Sequence, residues 1–143
     1  MVVCGTSQEK GLDFTETFSA TMRATSFRTL LALAATNGLK LEHLDVSNAF
    51  VQAPIDSDIW VECAKGYGYD TQCCLKLKQA LYGARQSSSA WQKTLFAYLT
   101  SKDGAFKFKQ CPSDSCLFEY NSAKGKIIIG VYVDDLIVAY SDA

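Results

Sequence analysis

Two adjacent carboxylates, Asp134 and Asp135, separate two apolar runs, Ile127 to Val133 and Leu136 to Tyr140. Runs that are apolar on both faces predict a central, buried hairpin with the acids at its tip. Two-residue hairpin turns favour Asn-Gly and other Gly-containing pairs because they need positive φ; Asp tolerates that geometry without being the easy choice. Side by side the two acids repel each other, so a positive partner is expected there. A third acid, Asp45, ends another apolar stretch, Leu44-Asp45-Val46. If the two strands are neighbours, three carboxylates converge at one edge of a sheet. Such hard oxygen donors suit Mg2+, which takes one or two protein carboxylates and completes its shell with substrate phosphates. Two such ions activate an attacking hydroxyl and stabilise a leaving group, the apparatus of nucleotidyl transfer. Strand alternation puts Asp134 on the face of Gly130 and Tyr132 and Asp135 on the other. Asp45 and Asp134 are then the expected ligands, with Asp135 in support. A solvated turn with hydrated acids is the plainer alternative for an Asp-Asp pair taken alone.

The elements that must position these acids can be read from periodicity. Phe27, Leu30, Leu31 and Ala34 recur at helical spacing. Thr25 or Ser26 is placed to cap that helix and Gly38 to stop it. Leu39 to Val46 reads as a strand, as does Ile59-Trp60-Val61 after an acidic turn. Residues 64–72 form a Gly/Tyr loop, and Cys74 to Lys78 alternates Leu75 and Leu77 with Lys76 and Lys78, a strand with one basic face. A second helix over 88–102 carries Trp91, Leu95, Phe96 and Leu99 on one side and ends at Gly104. Cys116 to Tyr120 is a further strand. The first segment, to about Ala24, is polar, turn-rich and weakly extended. The pattern is α+β, an antiparallel sheet with helices packed on one face.

At 143 residues, the chain is one domain or part of one, large enough to fold without disulfide staples. Hydrophobic residues at 48% and charged residues at 20% exclude disordered, collagenous and coiled-coil classes. Ile127 to Val133, the longest apolar stretch, is too short for a membrane helix, and no membrane partner is expected. The opening residues show no basic patch followed by an apolar run, so the expected location is intracellular, cytoplasmic or nuclear. The six cysteines include no CxxC pair, and the single His43 is not at ligand spacing to any of them. Buried, reduced thiols are therefore expected.

Net charge is only −1, but its distribution is uneven. Residues 63–126 hold ten Lys/Arg against four Asp/Glu, a local balance of +6, whereas residues 127–143 hold only acids. A basic middle beside isolated acids suits a phosphate-binding surface next to a metal site; solubility charge is the plainer reading.

Four ordered blocks carry a resemblance. Tyr132-Val133-Asp134-Asp135 resembles the hallmark box of reverse transcriptases, and Leu44-Asp45-Val46-Ser47-Asn48-Ala49-Phe50 resembles their upstream box. Ala80-Leu81-Tyr82-Gly83-Ala84-Arg85-Gln86-Ser87-Ser88-Ser89-Ala90-Trp91 is similar to the LYGLKQ(A/S)PRxW block of Ty1/copia-type retrotransposon polymerases. Phe14-Thr15-Glu16-Thr17-Phe18-Ser19 resembles their DYEETFAP stretch. The chain departs from the pattern where Ala84 replaces Leu, Ser88 and Ser89 replace Pro-Arg, and Cys4 falls where Arg is usual.

The resemblance implies a fingers-and-palm fold, incomplete at both ends, with no thumb, RNase H or integrase in this stretch. It implies RNA-directed DNA polymerisation, adding dNTPs to a primer 3′-OH with Mg2+ or Mn2+. Asp45, Asp134 and Asp135 would be catalytic and metal-binding. Phe50 would wall off the sugar and exclude a 2′-OH, the group that tells ribonucleotides from deoxyribonucleotides. Val46, Asn48, Ala49, Tyr82, Gly83 and Arg85 would complete the nucleotide site, Gly83 by letting backbone approach closely and Arg85 by meeting phosphate. Tyr132, Lys76 and Lys78 would meet primer or template. The implied partners are an RNA/DNA template-primer duplex, dNTPs and the rest of a Pol polyprotein, with a virus-like particle as one location. This stretch by itself is expected not to extend a primer. The rival reading is a silent retroelement relic with residual nucleic-acid binding; an unrelated phosphotransferase is disfavoured because no GxxxxGK[ST] loop occurs.

Overall fold

Ile128, Ile129, Gly130 and Val131 are buried in succession, and a strand buried on both faces must lie inside a sheet with cover on each side. The computed structural model, which describes residues 2–63, 66, 68, 73–101, 107–123 and 125–141, has that arrangement. Its elements run α1 (Ala24–Asn37), β1 (Lys40–Asp45), β2 (Trp60–Glu62), β3 (Cys74–Lys76), α2 (Ser87–Thr100), β4 (Lys109–Cys111), β5 (Asp114–Ser122), β6 (Gly125–Tyr132) and β7 (Asp135–Tyr140). Short 3-10 turns occupy Gly5–Ser7 and Ala49–Gln52. Contacts group the chain into two units, Met1–Phe18 with Asn48–Thr94 and Ser19–Ser47 with Leu95–Ala143.

In the second unit, β1-β7-β6-β5-β4 form one sheet, antiparallel at every pairing. The apolar hairpin β6–β7 takes interior positions, as its composition predicts. Helix α1 covers one face: Leu30 and Ala34 pack with Ile128 and Ala139, joined by Leu39, Leu117 and Ile137. The other face is covered too. Phe118, fully buried, meets Phe96 of α2 edge-on, with ring centroids 4.9 Å apart. Leu117 pairs with Gly130 and Phe118 with Ile129 in an unbroken register, so these two packings lie on opposite faces. The expected one-sided arrangement is thereby corrected, and the cause is β6, whose successive apolar residues need cover on both sides.

Helix α1 stops where Gly38 turns left-handed at φ 63°, its N–H bonded to the Ala34 carbonyl. Its start differs from expectation. Neither Thr25 nor Ser26 is the cap; Arg23 holds that position without a side-chain cap. Asp114 of β5 supplies the acceptor instead, taking the Arg23 N–H at 3.0 Å and the Cys116 N–H at 3.0 Å. A carboxylate at a helix N-terminus also meets the positive end of the helix dipole. Asp114 is buried, which by itself raises its pKa. Hydrogen bonds from the Ser26 hydroxyl and the Arg23 and Cys116 N–H groups, with the Arg23 charge, outweigh that and hold the carboxyl below its usual value. At 2% exposure, Leu30 anchors the helix; its truncation to Ala would cost about 3 kcal/mol.

In the first unit, β2 and β3 form a two-stranded ladder. The Leu77 N–H reaches the Ile59 carbonyl at 2.9 Å, and the Ala80 N–H reaches Ala53 at 2.9 Å. Ala49, Ala53 and Ala80 are fully buried; their small side chains admit this close backbone contact. Strand β3 is shorter than the expected 74–78, and β4 was not anticipated, since Lys109-Gln110-Cys111 carries no apolar alternation. Gly104 and most of the expected 64–72 loop lie outside the described residues. None of the six cysteines is in a disulfide. Only Cys116 is buried, which raises its pKa; Cys4, Cys73 and Cys74 are exposed, contrary to the expectation of buried thiols. Among the described residues, no helix is long and apolar enough to cross a membrane.

Candidate active site

Strands β1 and β7 set Asp45, Asp134 and Asp135 at neighbouring strand ends. Asp45 is the register partner of Asp135, and one step further the Val46 N–H donates to the Asp134 carbonyl at 2.9 Å. Because Tyr132 pairs with Asp135, the two-residue turn is Val133-Asp134 and not the expected Asp134-Asp135. Register partners in an antiparallel pair share a face. Asp135 therefore lies on the face of Tyr132 and Asp45, and Asp134 stands in the turn itself, which corrects the expected alternation by one residue. Val133 has φ 60°, a region where a β-branched residue is a genuine outlier. A left-handed first turn residue followed by an ordinary second one matches the sign pattern of type II′, where Gly is usual. Val133 there costs about 1–3 kcal/mol. Strain retained beside an acid is common where a site must hold one geometry.

His43 is a residue that sequence reading passed over. It sits two residues before Asp45 on β1 and pairs with Ile137, so it shares the face of Asp45 and Asp135. Its Nε2 donates to Asp135 Oδ1 at 2.8 Å. The signal available in the sequence was its i, i+2 spacing from Asp45, which puts both side chains on one face of a strand. Below this pair opens a cavity of about 350 Å³, floored by Met22, Phe27, Gly130 and Ile137.

Among the described residues, no three His, Cys, Asp or Glu side chains gather closely enough to hold a metal by themselves. The donor chemistry nonetheless fits a hard divalent cation. Asp45 and Asp134 offer carboxylate oxygens at one end of the β1–β7–β6 sheet, and Mg2+ needs no more than one or two from protein.

The nucleotide-site candidates of the first unit form a second cluster. Asn48, at φ 55° and ψ 40°, leads into the 3-10 turn Ala49–Gln52; Asn is among the few residues that adopt this conformation readily. The turn buries Ala49 and sets Phe50 against Tyr82, ring centroids 4.5 Å apart and planes at 32°. Gly83 is left-handed at φ 93°, and a Cβ there would collide with the Val3 carbonyl. At Gly83 the chain's own N-terminal segment makes a close approach, its Val3 N–H reaching the Tyr82 carbonyl at 2.8 Å. Arg85 Nε donates to the Gly5 carbonyl at 2.7 Å, and its guanidinium lies over the Phe14 ring at 5.5 Å. Gln8 and Gln86, not anticipated, complete the seam. Gln8 Nε2 donates to Gln86 Oε1 at 3.1 Å, Gln86 Nε2 donates to the Asp13 carbonyl at 2.9 Å, and Gln8 Oε1 accepts the Arg85 N–H at 2.8 Å.

The remaining candidates are spread over the surface. Lys76 Nζ is 2.7 Å from Asp58 Oδ2 and 5.7 Å from the Trp60 ring centroid. Lys78 is exposed, and Tyr132 is about half exposed beside the acids.

Known proteins place the chain. The family model for reverse transcriptase (RNA-dependent DNA polymerase) matches residues 1–143. The retrovirus-related Pol polyprotein from transposon TNT 1-94 of Nicotiana tabacum is 35% identical, covering 99% of this chain and 11% of that protein. Its counterpart from transposon RE1 of Arabidopsis thaliana is 34% identical, covering 99% and 10%. The transposon Ty1-MR1 Gag-Pol polyprotein of Saccharomyces cerevisiae is 28% identical, covering 84% and 6%. The chain thus spans about a tenth of the length of the plant relatives. No solved structure matches it. The acids paired across β1 and β7, the ordered blocks around them and these relatives agree, and the chain belongs to the reverse transcriptase (RNA-dependent DNA polymerase) family, of the Ty1/copia-type Pol polyproteins.

Proposed function

We propose that this chain forms fingers and palm elements of an RNA-directed DNA polymerase, with Asp45 and Asp134 as the ligands of its divalent cations. The observation that carries this reading is the backbone pairing of Asp45 with Asp135 and of Val46 with Asp134, which sets Asp45, Asp134 and Asp135 at neighbouring strand ends. Mg2+ or Mn2+, when bound, supplies activation of the primer 3′-OH and stabilisation of the departing pyrophosphate. The chain's own residues hold and orient. Asp45 is fixed by the β1–β7 ladder, and Asp134 by the Val133 turn and the Val46 hydrogen bond. The Phe50 ring, packed on Tyr82, presents a flat wall suited to a deoxyribose. The exposed Lys78, and Tyr132 beside the acids, suit template-primer phosphate and sugar. RNA template, DNA primer and dNTPs are the corresponding substrates, and the remainder of a Pol polyprotein is the expected covalent context.

Calorimetry of Mg2+ or Mn2+ with the 143-residue chain tests the assignment. Weak binding is expected in the wild type, strengthened by dNTP because phosphate oxygens complete the shell. Asp45→Asn and Asp134→Asn should each abolish it. Equal binding in all three proteins would overturn the cation site.

A further inference from the structure

We infer that Cys63 and Cys73 are a thiol pair that closes reversibly to a disulfide across the end of the β2–β3 ribbon. The ribbon's register places them. Trp60 pairs with Lys76, Val61 with Leu75 and Glu62 with Cys74; one further step of that register sets Cys63 opposite Cys73. The Leu77 N–H donates to the Ile59 carbonyl at 2.9 Å, which marks 59 and 77 as a hydrogen-bonded pair. Such pairs alternate along an antiparallel ladder, so 61 with 75, and then 63 with 73, are of the same kind. Residues opposed there have Cα atoms about 5.5 Å apart, inside the span of roughly 4.4–6.8 Å that a disulfide bridges. Alternation also separates the two adjacent cysteines. Continued by one residue at each strand end, the half-buried face of Val61 and Leu75 takes Cys63 and Cys73, whereas Cys74 stands with Trp60, Glu62 and Lys76 on the exposed face.

Cys73 is exposed and Cys63 is partly buried, which sets the order of the chemistry with a disulfide oxidant such as glutathione disulfide. The Cys73 thiolate attacks one glutathione sulfur and expels the other as a thiolate. The Cys63 thiolate then attacks the Cys73 sulfur and expels the second glutathione. The two cysteine protons end on the two glutathione thiols, and the protein loses the two electrons that reduce the oxidant. The bond has a consequence for the ribbon. Two strands by themselves are marginally stable, and a slip of one residue would exchange their faces. Oxidation fixes the register that keeps Trp60 opposite Lys76, and a thiol reductant releases it.

Equilibration of the folded 143-residue chain in mixtures of glutathione and glutathione disulfide, followed by acid quenching, alkylation and tryptic mass spectrometry, tests this. Trypsin cuts after Lys65 and Lys76, so 41–65 carries Cys63 and 66–76 carries Cys73 and Cys74. The two peptides should appear as one linked fragment that a dithiol separates. Fragment-ion sequencing of that species in the wild type should place the bond at Cys73, with no substitution needed. Cys63→Ser should abolish the fragment and Cys74→Ser should leave it unchanged. Cys73→Ser should lower it by at least about tenfold, because Cys74 points away from Cys63 and cannot meet it without backbone movement. In concentrated urea, Cys73→Ser and Cys74→Ser should link equally, since rings differing by one residue close at nearly the same entropic cost. That arm separates the folded register from mere closeness in sequence. A wild-type bond at Cys74, equal linkage in the two variants of the folded chain, or glutathione adducts with no internal bond would each overturn the inference.

Discussion

Phe50 and Tyr82 stack with ring centroids 4.5 Å apart and planes inclined by 32°, although they lie in separate sequence blocks. Close aromatic pairs contribute about 0.5–1.5 kcal/mol beyond their buried area. The contact restricts the Phe50 ring more than its position within the short 3-10 turn Ala49–Gln52 would.

A restricted ring suits the sugar-gating role proposed for Phe50. In a longer protein that includes this chain and has the proposed polymerase activity, Phe50→Ala should lower the ratio of kcat/KM for dNTP over rNTP by at least about tenfold. Tyr82→Ala should lower the ratio in the same direction by removing the ring behind Phe50, and Tyr82→Phe should not. Single-nucleotide incorporation kinetics with dNTP and rNTP would decide. An unchanged ratio in Phe50→Ala would return that residue to a packing role.

Gly83→Ala should destabilise the chain by about 3 kcal/mol, since it combines a left-handed φ with a collision against the fixed Val3 carbonyl. Gly38→Ala is the internal comparison: it is also left-handed but has open space around it, so only the conformational cost of about 1 kcal/mol applies. Urea midpoints of both variants would measure the difference. Equal losses would mean that the N-terminal segment does not press on Gly83.

The sequence carried some of these features and not others, for physical reasons. Helix α1 and the hairpin β6–β7 were legible because long apolar runs with a clear period leave few alternatives. Gly38 was legible as a stop because a C-terminal Gly acts locally. The Asp114 cap was not, since the acid comes from a strand remote in sequence. The one-residue error at the turn arose because Val133 looks like a strand residue; composition alone cannot reveal a β-branched residue held at φ 60°. That single shift also reversed which acid shares a face with Tyr132. His43 was missed because its partner lies across a ladder whose register no local pattern fixes.

Asp114 should make stability depend on acid pH. Its carboxyl is held below the ordinary value of 3.8 in the folded chain, so its contribution is present in full above that value. It is lost as pH falls through the lower, folded pKa, because the unfolded chain then binds the proton more readily. Asp114→Asn should remove this part of the acid loss and cost about 2 kcal/mol at neutral pH, where the Arg23 and Cys116 N–H groups lose a charged acceptor. Urea unfolding of both proteins from neutral to acid pH would show the two curves converging as pH drops. Parallel curves would assign the acid sensitivity to other groups.

The basic middle of the chain should bind nucleic acid without sequence preference, and its lysines should not contribute equally. Lys78 is exposed two residues beyond β3. Lys76 lies 2.7 Å from Asp58 and over Trp60, so part of its charge is already answered within the protein. Each phosphate contact releases counterions and adds about 0.9 to the slope of log K against log salt. Lys78→Ala should therefore weaken binding to all sequences alike and flatten the slope by about 1. Asp58→Asn should do the opposite, freeing Lys76 for phosphate and steepening the slope by up to about 1. The pair is solvent-exposed and individually weak, so neither change should disturb the fold. Fluorescence anisotropy of a labelled template-primer duplex across a series of KCl concentrations would read both slopes. Binding that ignores salt, or an Asp58→Asn slope no steeper than wild type, would exclude the β2–β3 ribbon as part of the phosphate-facing surface.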